Sequence, residues 1–141
     1  MANSLSVSEA LQVAEKYYQA NRLTQAEQAY HQVLEEQPQN ADALCGLGTI
    51  AQKFNQPQMA EKLFSKAVSL QPNLLKAWFS LGNLHQASGN LPEAESAYQK
   101  AIELKPNLAP LYNNLGYTLQ QQKKWDEAIS CYQKALQIQP N

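Results

Sequence analysis

Few side chains in this sequence are of the kinds that carry chemistry. His31 and His85 are the histidines and Cys45 and Cys131 the cysteines. Acid–base or metal chemistry would need partners for them at defined spacing. The cysteines stand 86 residues apart, with no neighbouring Cys or His at metal-ligand spacing. Neither a zinc site nor a disulfide framework is indicated, and both cysteines read as free thiols in a reducing compartment. Gly46-Leu47-Gly48 looks glycine-rich, but it falls inside a helical pattern and not after a strand, so it is no phosphate loop. No nucleophile elbow, zinc-protease motif or P-loop pattern occurs. The expectation is a protein that is not an enzyme, with no catalytic residue, no cofactor and no metal.

The residues that do recur at fixed spacing belong to structural elements. Pro38, Pro72, Pro106 and Pro140 lie 34 residues apart, and Ala26, Ala60, Ala94 and Ala128 keep the same period. An aromatic follows each of those alanines by four residues: Tyr30, Phe64, Tyr98 and Tyr132. Four units follow, at 7–40, 41–74, 75–108 and 109–141, after a tail at 1–6, forming one continuous repeat domain over 7–141. Apolar spacing inside each unit is helical in both halves, as in Trp78, Leu81, Gly82 and His85 and then Ala94, Tyr98, Ala101 and Ile102. His85 therefore reads as a packed side chain in a core position, and His31 as a solvated one on a second helix. Helices are expected at 8–20, 24–36, 42–54, 58–70, 76–88, 92–104, 110–122 and 126–138. Asn21, Asn55 and Gly89 share the turn position and tolerate a left-handed backbone, with Lys123 the exception. Pro57 and Pro92 suit helix starts, where a missing N–H costs little. Ser6 and Glu9 offer a capping box for the first helix.

These residues resemble the tetratricopeptide repeat, whose pattern places an aromatic, Leu, Gly and Tyr in one helix and Ala, an aromatic, Ala and Pro in and after the next. Trp78, Leu81, Gly82, Ala94, Tyr98, Ala101 and Pro106 carry it in the third unit. Leu47, Gly48, Ala60, Phe64, Ala67 and Pro72 carry it in the second, and Tyr112, Leu115, Gly116, Ala128, Tyr132, Ala135 and Pro140 in the fourth. The first unit departs most, with Ala10, Val13 and Ala14 where a large aromatic, Leu and Gly are usual, although Tyr17, Ala26, Tyr30 and Pro38 keep register. The resemblance implies an all-α fold: a right-handed α-solenoid of antiparallel helix pairs, a tetratricopeptide-like superhelix. Glycines and alanines would let helices approach closely while the aromatics fill the space between units.

In such a stack the first helix of each pair lines the concave groove, the usual binding surface of solenoid proteins. The face opposite each core stripe gives Gln12, Glu15 and Tyr18, then Asp42, Cys45, Thr49, Gln52 and Lys53. Next come Lys76, Phe79, Ser80, Asn83 and Gln86, and last Asn113, Asn114, Tyr117, Gln120 and Gln121. The candidate groove residues are Tyr18, Thr49, Gln52, Lys76, Phe79, Asn83, Gln86, Asn113, Asn114, Tyr117 and Gln120. Amide side chains carry a donor and an acceptor together and can pair with a peptide backbone of any sequence, while Phe79 and Tyr117 would supply aromatic anchors. Asn83 and Asn114 match the two asparagines with which chaperone-tail receptors of this family clamp a terminal carboxylate. Phe79 stands where the first clamp Lys would be, which disfavours that specialisation. Of the asparagine ladder of an O-linked sugar transferase's repeat arm only Asn114 is present.

The 141 residues carry a formal charge of -1, with a pI near 6.1, which argues against nucleic acid as a ligand. No run of 18 apolar residues occurs and the first residues carry no leader pattern, so a cytoplasmic protein that does not bind membranes is expected. The leading expectation is a scaffold that holds a peptide or partner segment along the groove. Alternatives are the N-terminal recruiting arm of a larger enzyme such as a glycosyltransferase, or a self-associating module. Leu119, Ile129, Leu136 and Ile138 are expected to be exposed on an uncapped C-terminal repeat and to drive that association.

Overall fold

The computed structural model describes residues 5–140. Those residues form eight α-helices and no strand: α1 (Val7–Gln19), α2 (Leu23–Glu36), α3 (Ala41–Lys53), α4 (Pro57–Leu70), α5 (Leu75–Ala87), α6 (Leu91–Leu104), α7 (Ala109–Gln121) and α8 (Trp125–Ile138). Every helix begins one residue earlier than its spacing suggests, because the residue after each turn already has helical backbone. The chain divides into two compact units, the first ending at Pro72 and the second starting at Asn73. In the first, α1 packs on α2, α2 on α3 and α3 on α4. In the second the same order joins α5 to α8. Among the described residues no helix is long and apolar enough to cross a membrane.

Local chemistry sets the helix ends. Ser6 accepts a hydrogen bond from the Glu9 N–H at 3.2 Å, and Asn40 accepts one from the Ala43 N–H at 2.9 Å, each satisfying a donor that the helix start leaves orphaned. Pro57 opens α4, and Pro92 and Pro110 lie in the first turns of α6 and α7, where φ is preset and no N–H is needed. The turns inside the pairs use left-handed residues: Asn21 (φ 59°), Asn55 (φ 58°), Gly89 (φ 79°) and Lys123 (φ 64°). Lys123 adopts the same turn as the others despite its side chain, so it carries the backbone cost that Asn and Gly lower at the other three positions.

The core of each pair is an aromatic ring laid on a bare stretch of the first helix. A Cβ built on Gly48 would lie 2.6 Å from Phe64 Cε1, one on Gly82 2.5 Å from Tyr98 Cε1, and one on Gly116 2.9 Å from Tyr132 Cε1. Any larger residue would push the ring out and separate the helices.

The first pair departs from this scheme. Ala14 holds the position of Gly48 and is buried. The Tyr30 hydroxyl donates to Glu15 Oε2 on α1 at 3.4 Å, and the ring also lies against the next helix, where a Cβ on Gly46 would overlap Cζ, Cε1 and Cε2 together. Gly46 thus gives the Tyr30 ring room on α3. Ala14, Tyr30, Ala43, Leu47 and Ile50 share one core cluster with Ala26 and Val33.

The assignment of Gly46 to packing has a direct consequence for stability. Gly46→Ala is expected to destabilise the protein by about 2 kcal/mol, the usual range for overpacking a filled core, although alanine is the better helix former. A smaller residue at position 30, in Gly46→Ala/Tyr30→Leu, should remove the clash. Urea titrations of Gly46→Ala, Tyr30→Leu and the double variant check this, with the double variant expected to show less than the sum of its single-site losses.

Candidate functional site

The first-helix residues singled out from the sequence fall into two sets. In the first unit, Tyr18 is half-buried near the end of α1, with the Lys53 ammonium 6.0 Å from its ring centroid, a cation–π distance. Thr49 donates its hydroxyl to the Cys45 carbonyl at 3.0 Å along its own helix, and both it and Gln52 are half-buried. Cys45, expected to face outward here, is instead buried. Its neighbour Gly46 admits the Tyr30 ring, which lies close to the thiol.

In the second unit the residues are drawn together by a polar network. Tyr98, fully buried on α6, donates its hydroxyl to Asn83 Oδ1 at 2.6 Å. Asn114 Nδ2 donates to the same oxygen at 3.2 Å. Gln86 Nε2 donates to Thr118 Oγ1 at 2.9 Å, and the Thr118 hydroxyl donates in turn to the Asn114 carbonyl at 2.9 Å. Asn83, Gln86 and Asn114 are therefore joined across α5 and α7 by side-chain and backbone hydrogen bonds, with Tyr98 behind them. Phe79 leans on Tyr98, with ring centroids 6.3 Å apart and planes at 58°, a tilted aromatic pair. Lys76, Asn113 and Tyr117 are exposed. Gln120, also exposed, accepts the Tyr132 hydroxyl at 2.8 Å.

The network divides its members by the atoms they leave over. Gln86 uses its amide nitrogen on α7 and its oxygen lies 3.4 Å from the Tyr98 hydroxyl, so it holds the two helices together. Asn83 uses its oxygen twice, and its NH₂ has no hydrogen-bond partner among the described residues. Asn114 uses its nitrogen and keeps its oxygen. A donor and an acceptor are thus presented side by side with their orientation set by a buried phenol. Spacing alone marks both asparagines but carries no sign of Tyr98 and Thr118 as their supports: Tyr98 reads only as a core position, and Thr118 stands at no position that the repeat pattern singles out.

Beyond the first-helix faces, the end of the second unit carries apolar surface. Ile129 and Leu136 are 53% and 56% exposed, and Trp125 joins them at 57%. Leu119, expected beside them, is buried against α6 with Tyr98 and Ala94, and Ile138 is half-buried. Leu119 points back into its own unit because α7 is sandwiched between α6 and α8, leaving α8 alone to face outward. Cys45 and Cys131 are free thiols. Burial, then the nearby Glu127 and Glu95 carboxylates, raises the Cys131 thiol above its ordinary value, which lowers its reactivity.

Burial pushes the Tyr98 hydroxyl up to about 12, against a downward pull from the Asn114 amide. Burial, reinforced by Glu15, raises Tyr30 as well. Both phenols are neutral donors at any ordinary pH. Because their folded values lie above the unfolded value of 10.0, the stability they contribute is complete below that value. It drains away as pH rises towards the folded ones. Chemical denaturation at successive pH values should show stability falling above about pH 10, and Tyr98→Phe should make that fall shallower while leaving the remainder to Tyr30.

Comparison with known proteins is consistent with this construction. Models of the tetratricopeptide repeat match residues 75–108 and 109–141, and residues 17–81. No curated protein sequence matches the chain. Among solved structures, MamA is 23% identical with a TM-score of 0.86, over 96% of this chain and 79% of that one. PilF of Pseudomonas aeruginosa is 24% identical with a TM-score of 0.89, over 96% of this chain and 62% of that one. YrrB, described as a tetratricopeptide protein with an unusual peptide-binding site, is 26% identical with a TM-score of 0.80, over 96% and 70%. With helix pairs throughout, ring-on-glycine cores and family matches that together run from residue 17 to 141, the chain belongs to the tetratricopeptide repeat family.

Proposed function

We propose that this protein is an interaction scaffold that binds an extended polypeptide across α5 and α7 of its second unit. The observation that carries this reading is the fixed polarity of the Asn83 and Asn114 pair. With Asn83 Oδ1 taken by Tyr98 and Asn114, the NH₂ of Asn83 offers a donor and the oxygen of Asn114 an acceptor. One peptide carbonyl and one peptide N–H answer that pair, whatever the side chains beside them. Preorganisation by the buried phenol removes part of the ordering cost of binding. Phe79 and the exposed Tyr117 flank the pair as apolar anchors of the kind that dominate interface energies, and Asn113 and Lys76 add polar contacts along the rim. The peptide-binding site of YrrB, a protein of the same fold, supports the class of ligand by analogy.

Asn83→Asp tests the polarity. It keeps the oxygen that Tyr98 and Asn114 donate to but replaces the outward NH₂ by an acceptor. For heptapeptides selected against the wild-type protein from a random library, the substitution should cost about tenfold in affinity, the value of one hydrogen bond at ~1.4 kcal/mol. The thermal transition should stay in place. Equal affinity for wild type and variant in isothermal titration would remove the asparagine pair from the binding site.

A second reading rests on α8. Trp125, Ile129 and Leu136 lie four and seven residues apart on one face, each more than half exposed, with Tyr132 between them. We propose that this face mediates association with a second copy, α8 against α8. The face of α1 that corresponds to the buried face of α3 is more polar. Exposed Glu9 and Lys16 hold the positions, 34 residues earlier, of buried Ala43 and Ile50 on α3. An apolar stripe is then its own best complement. Sedimentation velocity should show a concentration-dependent dimer in the wild type and a monomer in Ile129→Lys/Leu136→Lys. A wild type that stays monomeric at high concentration would end this reading.

A further inference from the structure

The two units repeat one another at a spacing of 68 residues, twice the 34-residue period, so each position in one has a counterpart in the other. One set of counterparts differs in chemistry. In the second unit Glu95 on α6 is clasped from three sides. Gln122 Nε2 donates to Oε2 at 2.8 Å, Lys124 Nζ lies 3.1 Å from the same oxygen, and Gln99 Nε2 donates to Oε1 at 3.4 Å. Lys124 and Gln122 come from the turn between α7 and α8, so the clasp ties that turn to α6. With its charge paired, the Glu95 side chain is only 16% exposed.

In the first unit the carboxylate is retained and its clasp is gone. Glu27 on α2 is the counterpart of Glu95. Phe54 stands in place of Gln122, Gln56 in place of Lys124 and His31 in place of Gln99. Among the described residues the partner of the Glu27 carboxylate is His31, 3.9 Å away, and the Glu27 side chain is 43% exposed. Where the clasp would sit there is a cleft of about 190 Å³, lined by Glu27, His31, Phe54, Gln56, Met59 and Leu63. Phe54 and Met59 are both exposed. The cleft is therefore apolar on its sides and has a carboxylate at its edge without the cation that its counterpart possesses.

We infer that this cleft on the first unit is a receptor site for a single lysine side chain of a partner protein, whose stem lies along Phe54, Met59 and Leu63 and whose ammonium meets Glu27. The second unit provides the template, since Lys124 is the cation that Glu95 holds and Gln56 occupies its place in the first unit. Volume agrees with the assignment. Ligand pockets for whole small molecules run to about 300 Å³ and above, and this one is of side-chain size. A lysine couples an apolar stem to a charged head, and the cleft offers a surface to each. The site lies between α2, the turn after α3 and the first half of α4, and it is independent of the asparagine pair of the second unit.

The test uses the whole protein and two probes that differ by one ammonium group: Nα-acetyl-lysine methylamide and Nα-acetyl-norleucine methylamide. In proton–nitrogen correlation spectra the lysine probe should produce saturable shifts at Glu27, His31, Phe54, Gln56 and Met59, and the norleucine probe markedly smaller ones. Glu27→Gln should weaken the lysine probe about fivefold, the upper value for a half-exposed ion pair. Gln56→Lys, which restores the second unit's cation, should abolish binding by filling the site from within and should raise the melting temperature. Equal binding of both probes, shifts scattered away from these residues, or a Gln56→Lys variant that binds like the wild type would each overturn the proposal.

Discussion

The rest of this structure depends on one close approach: an aromatic side chain from the second helix of a pair lying flat on a helix surface that has no Cβ. Helices bearing ordinary side chains pack with axes about 8–10 Å apart, and a glycine beneath the ring is what allows a buried tyrosine or phenylalanine between them without a void. Phe64 on Gly48, Tyr98 on Gly82 and Tyr132 on Gly116 repeat the arrangement. The exception strengthens it. In the first pair Ala14 stands in the glycine's position, and the bare backbone against the Tyr30 ring is that of Gly46 on α3. Tyr30 thereby touches two helices at once, α1 through its hydrogen bond to Glu15 and α3 through Gly46.

The same rings place the polar chemistry. A phenylalanine such as Phe64 ends in carbon, so the α3–α4 pair has nothing at the ring edge to orient an amide. Tyr98 has the same seat on the helix and an additional hydroxyl, which emerges at Asn83 with an oxygen–oxygen distance of 2.6 Å. Burial keeps that hydroxyl protonated and hence a donor, and a donor there forces Asn83 to turn its oxygen inward. Asn114 follows, since its nitrogen completes the pair of donors on that oxygen. The outward pattern of hydrogen-bonding atoms on α5 and α7 is thus fixed from the core, at low entropy cost, by a residue that no ligand would touch.

Much of this was legible in the amino-acid order because the repeat samples the same physics four times. Proline, alanine and aromatic positions at a common period give the helix pairs, and the left-handed turns follow from Asn21, Asn55 and Gly89. Lys123 adopts the same φ without the residue type that signals it, since the packing of the pair fixes the turn and overrides local preference. What the order of residues does not display is which neighbour a side chain selects. Cys45 and Leu119 lie on helix faces that a single-helix projection assigns to solvent, and a second helix covers each of them. Gly46 reads as a redundant glycine beside Gly48 until the ring of Tyr30 is found on it. Tyr98 is recognisable as core, but its hydrogen bond to Asn83 joins two helices and has no local pattern, and neither has the bond that Thr118 receives from Gln86.

Repetition also makes divergence informative. When two segments share backbone, register and most of their core, a difference between counterparts cannot be attributed to the fold, which both satisfy. Glu27 and Glu95 are such a pair: the same residue at the same position, one enclosed by Gln99, Gln122 and Lys124 and the other facing Phe54 and Gln56. The fold does not require the clasp, because α2, α3 and α4 pack without it. Nor does it require an exposed phenylalanine at the end of α3, where the other repeats place Ala20, Ser88 and Gln122. An exposed aromatic adds nothing to solubility and, at 45% exposure, little to the core. A carboxylate beside it gains full electrostatic value only when a cation shields it from water. Both residues are therefore better accounted for by something that arrives from outside the unit than by anything within it.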